Sequence, residues 1–208
     1  FTEAALGANP HTGSITVIGL ADGSYHWRAR AIDNNSAISA AWTSFGGNAE
    51  SAADFVVDAT APATASVTTP ANGGTFRAAT VPASFSGSAA DNSGGVGLAA
   101  NSTTFTLQRP DNQYWTGSAW QVAVFNLATT HSATTSGTTA AWTNSATLPS
   151  WASQFDGTYT VRATATDAVG NTFSGTAITF TLDGTNPTTA SVTTPANGSS
   201  FRAATVPA

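Results

Sequence analysis

The chain has no cysteine and no lysine. Without cysteine there is no disulfide framework, no thiolate zinc site and no thiol nucleophile. Without lysine, the six basic residues are all arginine, set against eleven acids for a net charge of −5. Such a surface lacks the clustered cations that displace phosphate counterions, which excludes nucleic acid as a partner. Charge of either sign is scarce, at 8% of residues where about 25% is usual. Ser, Thr, Asn and Gln must therefore make the polar surface. No apolar run approaches the roughly 18–20 residues that cross a bilayer. Catalytic signatures are missing as well. No G-x-S-x-G, H-E-x-x-H or Gly-rich phosphate loop occurs. His11, His26 and His131 stand in unrelated contexts, and the acids are scattered singly. The expectation is a chain that is not an enzyme and requires no cofactor.

What the sequence does have is repetition. TASVTTPANGGTFRAATVPA, from Thr64 to Ala83, returns as TASVTTPANGSSFRAATVPA from Thr189 to Ala208. FVVDATAP at 55–62 and FTLDGTNP at 180–187 keep the same offset. Each of these ends a β run in Asp, turns through small residues and restarts at Pro62 or Pro187. Proline lacks the ladder donor, so it marks where one sheet stops and the next unit begins. Three segments are predicted: residues 1–58, the C-terminal part of one unit; 59–183, a complete unit; and 184–208, the N-terminal strands of a following repeat. The ends are expected to be cuts through a longer tandem array.

Inside the units the hydrophobic period is two. In DGSYHWRARAID, Tyr25, Trp27, Ala29 and Ala31 share one face; in DGTYTVRATATD, Tyr159, Val161, Ala163 and Ala165 do the same. Strict alternation with Thr and aromatics marks a half-buried antiparallel strand. Further strands are expected in SITVIGL, DFVVD, ASFSGSA (83–89), TTFTLQ (103–108), WQVAVFNL (120–127), AAWTNSATL (140–148) and TAITFTLD (176–183). No amphipathic helix is evident. Short strands separated by Gly, Asn and Pro turns predict an all-β chain of antiparallel β-sandwiches.

Leu20-Ala-Asp-Gly-Ser-Tyr25 resembles the E–F corner of immunoglobulin-like and fibronectin type III domains, where a Tyr after a Gly turn bonds back to the backbone. Phe155-Asp-Gly-Thr-Tyr159 is its counterpart, and ATDAVGN (165–171) is similar to the end of strand F in bacterial immunoglobulin-like repeats. YWTGSAW (114–120) resembles a hairpin of related repeats. The resemblance implies tandem immunoglobulin-like or fibronectin type III-like sandwiches on a bacterial surface protein, of adhesin or extracellular-filament type. Residues 1–58 depart from it. They carry only E-, F- and G-type strands, too few for a sandwich of about 100 residues. Either the other strands lie upstream or a neighbouring chain supplies them.

The resemblance also places Asp58 in a linker, Asp91 after strand B, and Asp167 with Asn171 after strand F, all at one pole of the sandwich. Three carboxylates and an amide of this kind suit Ca²⁺, and similar calcium junctions occur in some adhesins of this type. The plainer reading, favoured by the missing D-x-D-x-D spacing, is that these side chains close Asx-type turns. The six tryptophans raise stacking on sugar rings, with Trp115 and Trp120 as the glycan-binding candidates; packing in a sandwich core is the commoner use of such residues, and Trp27 is expected in the core. The Thr-rich stretch 129–143 reads as exposed strand face or as a bearer of O-glycans. The expected role is a stiff rod, stalk or filament outside the cell, built from neighbouring repeats of one chain. Its further partners would be identical chains in a filament or cell-surface glycans. A carbohydrate-binding or spacer module of a secreted enzyme, and a filament subunit joined by strand donation at 189–206, stand as alternatives.

Overall fold

The computed structural model describes residues 15–33 and 35–205. His11 and Val206, the last residue of the donated-strand reading, lie outside that range.

The first segment forms two small antiparallel sheets. β1 (Gly23–Tyr25) pairs with β4 (Phe55–Val57), and β2 (Arg28–Ala29) pairs with β3 (Thr43–Ser44). SITVIGL makes no strand over its described residues, and Ile15, Val17 and Ile18 are exposed. Trp27, expected in the core, is 38% exposed. Tyr25 stacks on Phe55 with ring centroids 5.4 Å apart and Trp27 lies 5.7 Å from the same ring, but no second sheet covers them among the described residues.

The second segment folds as one curled, mostly antiparallel sheet. Its strands are β5 (Thr64–Thr69), β6 (Gly74–Phe76), β7 (Ser86–Ala90), β8 (Thr104–Gln108), β9 (Tyr114–Trp115), β10 (Trp120–Gln121), β11 (Leu127–Thr130), β12 (Ala140–Asn144), β13 (Gly157–Thr166), β14 (Thr172–Ser174) and β15 (Ile178–Leu182). The main order is β5-β7-β12-β11-β8-β13-β15-β6, with the β9–β10 hairpin on β8 and β14 on β13. β5 and β6 are neighbours in the chain but sit at opposite ends of this path. Only residues 70–73 join them, a reach of roughly 3.5 Å per residue at most. The two ends must therefore approach, and the sheet curls round its core. β6 runs parallel to β15, whereas the other pairings are antiparallel.

Alternation fixes which side faces inward. On β13, Tyr159, Val161, Ala163 and Ala165 are fully buried while Arg162 is exposed. Phe105, beside Ala163 on the neighbouring β8, is fully buried too, as are Phe85 and Trp142. Tyr159 stacks on Phe180 at 5.3 Å, and Phe105 on Trp142 at 5.7 Å. Such ring pairs add about 0.5–1.5 kcal/mol each beyond area burial. Gly87 of β7 is obligatory: a Cβ there would run into the Ser66 carbonyl oxygen and come within 2.7 Å of the Trp142 ring. That same carbonyl accepts the Trp142 indole N–H at 3.1 Å.

WQVAVFNL does not form one strand. β10 ends at Gln121 because it belongs to the hairpin, and β11 starts at Leu127 because it belongs to the main sheet. The crossing between them leaves Val122 and Val124 exposed. In the third segment, residues 184–205 are exposed and form no strand.

Candidate metal centre

Three strands end in aspartate at one place. Asp58 follows β4, Asp91 follows β7 and Asp167 follows β13. Each contributes a carboxylate oxygen to a group in which all three lie within 4.8 Å of one another. Asp91 and Asp167 are 2% and 3% exposed; Asp58 is half-buried.

Backbone donors hold each carboxylate. Asp167 Oδ1 accepts from the amides of Val169, Gly170 and Asn171, an Asx-type turn that closes the β13–β14 hairpin. Asp91 accepts from Asn92 N at 2.9 Å and Gly97 N at 2.6 Å. Asp58 Oδ2 accepts from Val96 N at 2.8 Å and its Oδ1 from Thr60 N at 3.1 Å. The turn reading and the clustering are thus both present.

Asn171 and Asn92 divide the remaining work differently from the sequence expectation. Asn171 turns its amide nitrogen inward, donating to Asp167 Oδ2 at 2.8 Å and to the Asp58 carbonyl at 3.1 Å. In that orientation it ties the linker to the hairpin and offers no oxygen to an ion. Asn92 Oδ1 is buried and has no hydrogen-bond partner. It lies 2.5 Å from the point a Cβ on Gly95 would occupy, with Asp91 Oδ2 at 2.5 Å and Asp58 Oδ2 at 2.9 Å from that point. The absence of a side chain at Gly95 leaves this cradle of oxygens open. Sequence reasoning missed Asn92, although the adjacent D-N of SAADNSGG was its signal.

Among the described residues, no cationic side chain pairs with these acids. The ion pairs among those residues are His26 with Glu50 and Asp54, Arg28 with Glu50, and Arg109 with Asp111. Buried carboxylates without a counter-charge are costly. Three carboxylates and an amide oxygen are the donor set that a hard divalent cation takes, and Ca²⁺ tolerates their irregular arrangement.

The other candidates fall into structural roles. Trp115 is 8% exposed and donates its indole N–H to the Thr147 carbonyl at 2.6 Å. Trp120 is half-buried, donates to Gln154 Oε1, and lies under the Arg109 guanidinium at 4.9 Å. The two rings pack together at 5.2 Å. Trp115 is thus enclosed in the packing, and Trp120 keeps part of its surface exposed. Both corner tyrosines bond back four residues, Tyr25 to the Ala21 carbonyl at 2.8 Å and Tyr159 to the Phe155 carbonyl at 2.9 Å. Burial pushes the Tyr159 hydroxyl up to about 12. Pro62 is buried and the β5 ladder begins one residue later, at Ala63 N to Ala90 O; Pro187 is exposed. His131 Nε2 accepts from Thr103 N and its Nδ1 donates to the Ser132 carbonyl, so the ring is a bracing group. No helix is long and apolar enough to cross a membrane among the described residues. Neither a family model nor a curated protein matches the chain.

Proposed function

We propose that the chain is a structural repeat segment of a large extracellular or cell-surface protein. Its units are tandem immunoglobulin-like or fibronectin type III-like sandwiches, and its work is to form a stiff rod, stalk or filament that supports adhesion or assembly. One observation carries the reading. Asp58, at the end of the first unit, is bonded into the loops of the second through Val96 N and Asn171 Nδ2. A linker docked on the following unit does not behave as a free hinge, unlike flexible linkers of the same length. The parallel β6–β15 pairing and the split of the opening segment between the two ends of the sheet support the immunoglobulin-like assignment.

Calcium belongs to the same proposal. Asp58, Asp91 and Asp167 with Asn92 would hold the ion, Asn171 would keep the linker against the hairpin, and the ion would supply the missing positive charge at the joint. Calorimetric titration of the metal-free protein with Ca²⁺ tests it. The expected result is heat saturating at one ion per chain, with a rise in melting temperature. No heat and no rise would remove calcium from the proposal.

A further inference from the structure

The D-G-Ser/Thr-Tyr corner occurs twice, and in both places its aspartate reaches beyond the corner. Asp22 Oδ1 accepts the amide of Ala59 at 2.8 Å, and its Oδ2 accepts the Thr60 hydroxyl. Asp156 Oδ1 accepts the amide of Gly184 at 2.7 Å, and its Oδ2 accepts the Thr185 hydroxyl at 2.5 Å. The bonded residues are the second and third after the last strand of each unit, directly behind its strand-end aspartate: Asp58-Ala59-Thr60 in one place, Asp183-Gly184-Thr185 in the other. The strand-end aspartates add the same inner bond, Asp58 Oδ1 from Thr60 N and Asp183 Oδ1 from Thr185 N, both at 3.1 Å.

Neither match is a consequence of local spacing. Asp22 is 37 residues from Ala59 and Asp156 is 28 from Gly184. The extra residues lie in the first unit's segment between β2 and β4, and the two-pronged grip is the same regardless. A corner tyrosine needs the glycine turn before it; it does not need an aspartate whose two oxygens take one amide and one hydroxyl from a distant segment.

We infer that Asp22 and Asp156 are exit clamps: each unit grips the first two residues of its own outgoing linker and so sets the direction in which the next unit leaves. The inference rests on reading residues 58–60 as a joint between units. There the linker is held from both sides, by Asp22 behind and by Val96 and Asn171 ahead. The second clamp is formed around residues that make no strand, so it does not depend on a docked neighbour. Clamp and docking are then separable: the clamp is made by the unit that ends, the docking by the unit that begins.

The absence of cysteine makes the test clean. Spin labels on cysteines placed at the exposed positions Ser51 and Ser118 report the distance across the first joint, and amide exchange reports the clamp bonds directly. Asp22→Ala and Thr60→Val are each expected to broaden the distance distribution about twofold, as a released linker samples more orientations. Asp22→Ala should speed exchange at Ala59 about tenfold, and Asp156→Ala should do the same at Gly184. Thr60→Val touches no core residue, so it and Asp156→Ala decide the matter if Asp22→Ala unfolds the first unit. Folded variants with the parent width and parent exchange rates overturn the clamp. A parent protein that is already broad overturns the stiff-joint reading instead, and the exchange measurements still judge the clamp.

Discussion

Residues 21–37 and 155–171 are the same device built in two settings. Each opens on a tyrosine that bonds back four residues, and each closes on an aspartate turn. Asp33 N donates to the Ala37 carbonyl and Asp33 Oδ1 accepts from Asn35 and Ala37. Asp167 N donates to the Asn171 carbonyl and Asp167 Oδ1 accepts from Val169, Gly170 and Asn171. The settings differ in what lies opposite. Tyr159 is fully buried inside the curled sheet and Tyr25 is half-buried. Asp167 meets Asp91 and Asp58; no such cluster forms at Asp33 among the described residues. Where Asn171 ties the linker, the first unit has Ala37. Local chemistry therefore makes the corner and the turn, while the packing around them decides whether they become core and joint.

The largest effect expected from this contrast is at the tryptophans. Trp142→Ala, in the fully buried site, should cost about 3–5 kcal/mol by chemical denaturation; Trp27→Ala, in the open sheet, should cost under about 1 kcal/mol. Equal losses would mean that Trp27 is covered in the working molecule. At Gly87, Ala should cost about 1–3 kcal/mol through strain against β5 and Trp142, read from the same denaturation curves. Next, Tyr159→Phe removes a bond in the buried corner and should cost about 1 kcal/mol, against less for Tyr25→Phe in the exposed one.

At the joint, Gly95→Ala should abolish the calcium heat, because its Cβ would fill the cradle between Asn92, Asp91 and Asp58. Asn171→Ala should weaken binding about tenfold by freeing the linker, while the exchanged turn at Ala37 has nothing to lose. The smallest effect is on pH. Asp22 is held below the usual carboxylate range by the Thr60 hydroxyl and the Ala59 amide, and Asp156 by the Thr185 hydroxyl and the Gly184 amide. A depressed folded value means the stabilisation is complete above the unfolded value, about pH 4, and is lost as pH falls through the lower folded one. Protection of the Ala59 and Gly184 amides, taken relative to the intrinsic exchange rate at each pH, should thus be unchanged from neutrality to about pH 5 and fall only in stronger acid. Loss near neutrality would contradict the clamp bonds.

Much of the fold was legible because it rests on period-two patterning. The alternation at Tyr159, Val161, Ala163 and Ala165 predicts their burial, and the corner tyrosines predict their own hydrogen bonds. The site was legible in part. The positions of Asp58, Asp91 and Asp167 at strand ends bring them together, but the orientation of Asn171 and the unpartnered Asn92 oxygen depend on a loop conformation that no spacing encodes. WQVAVFNL misled because composition does not reveal that its two halves belong to different pairings. Trp27 misled for a related reason: alternation says which way a side chain faces, not whether anything faces it back.

Residual dipolar couplings measured on the aligned, calcium-loaded chain test the stiff joint most directly. The strands of the first unit, Gly23–Val57, and those of the second, Thr64–Leu182, are expected to fit a single alignment tensor. Two tensors of different magnitude and unrelated axes would mean that the units reorient freely, and the rod would have to be given up.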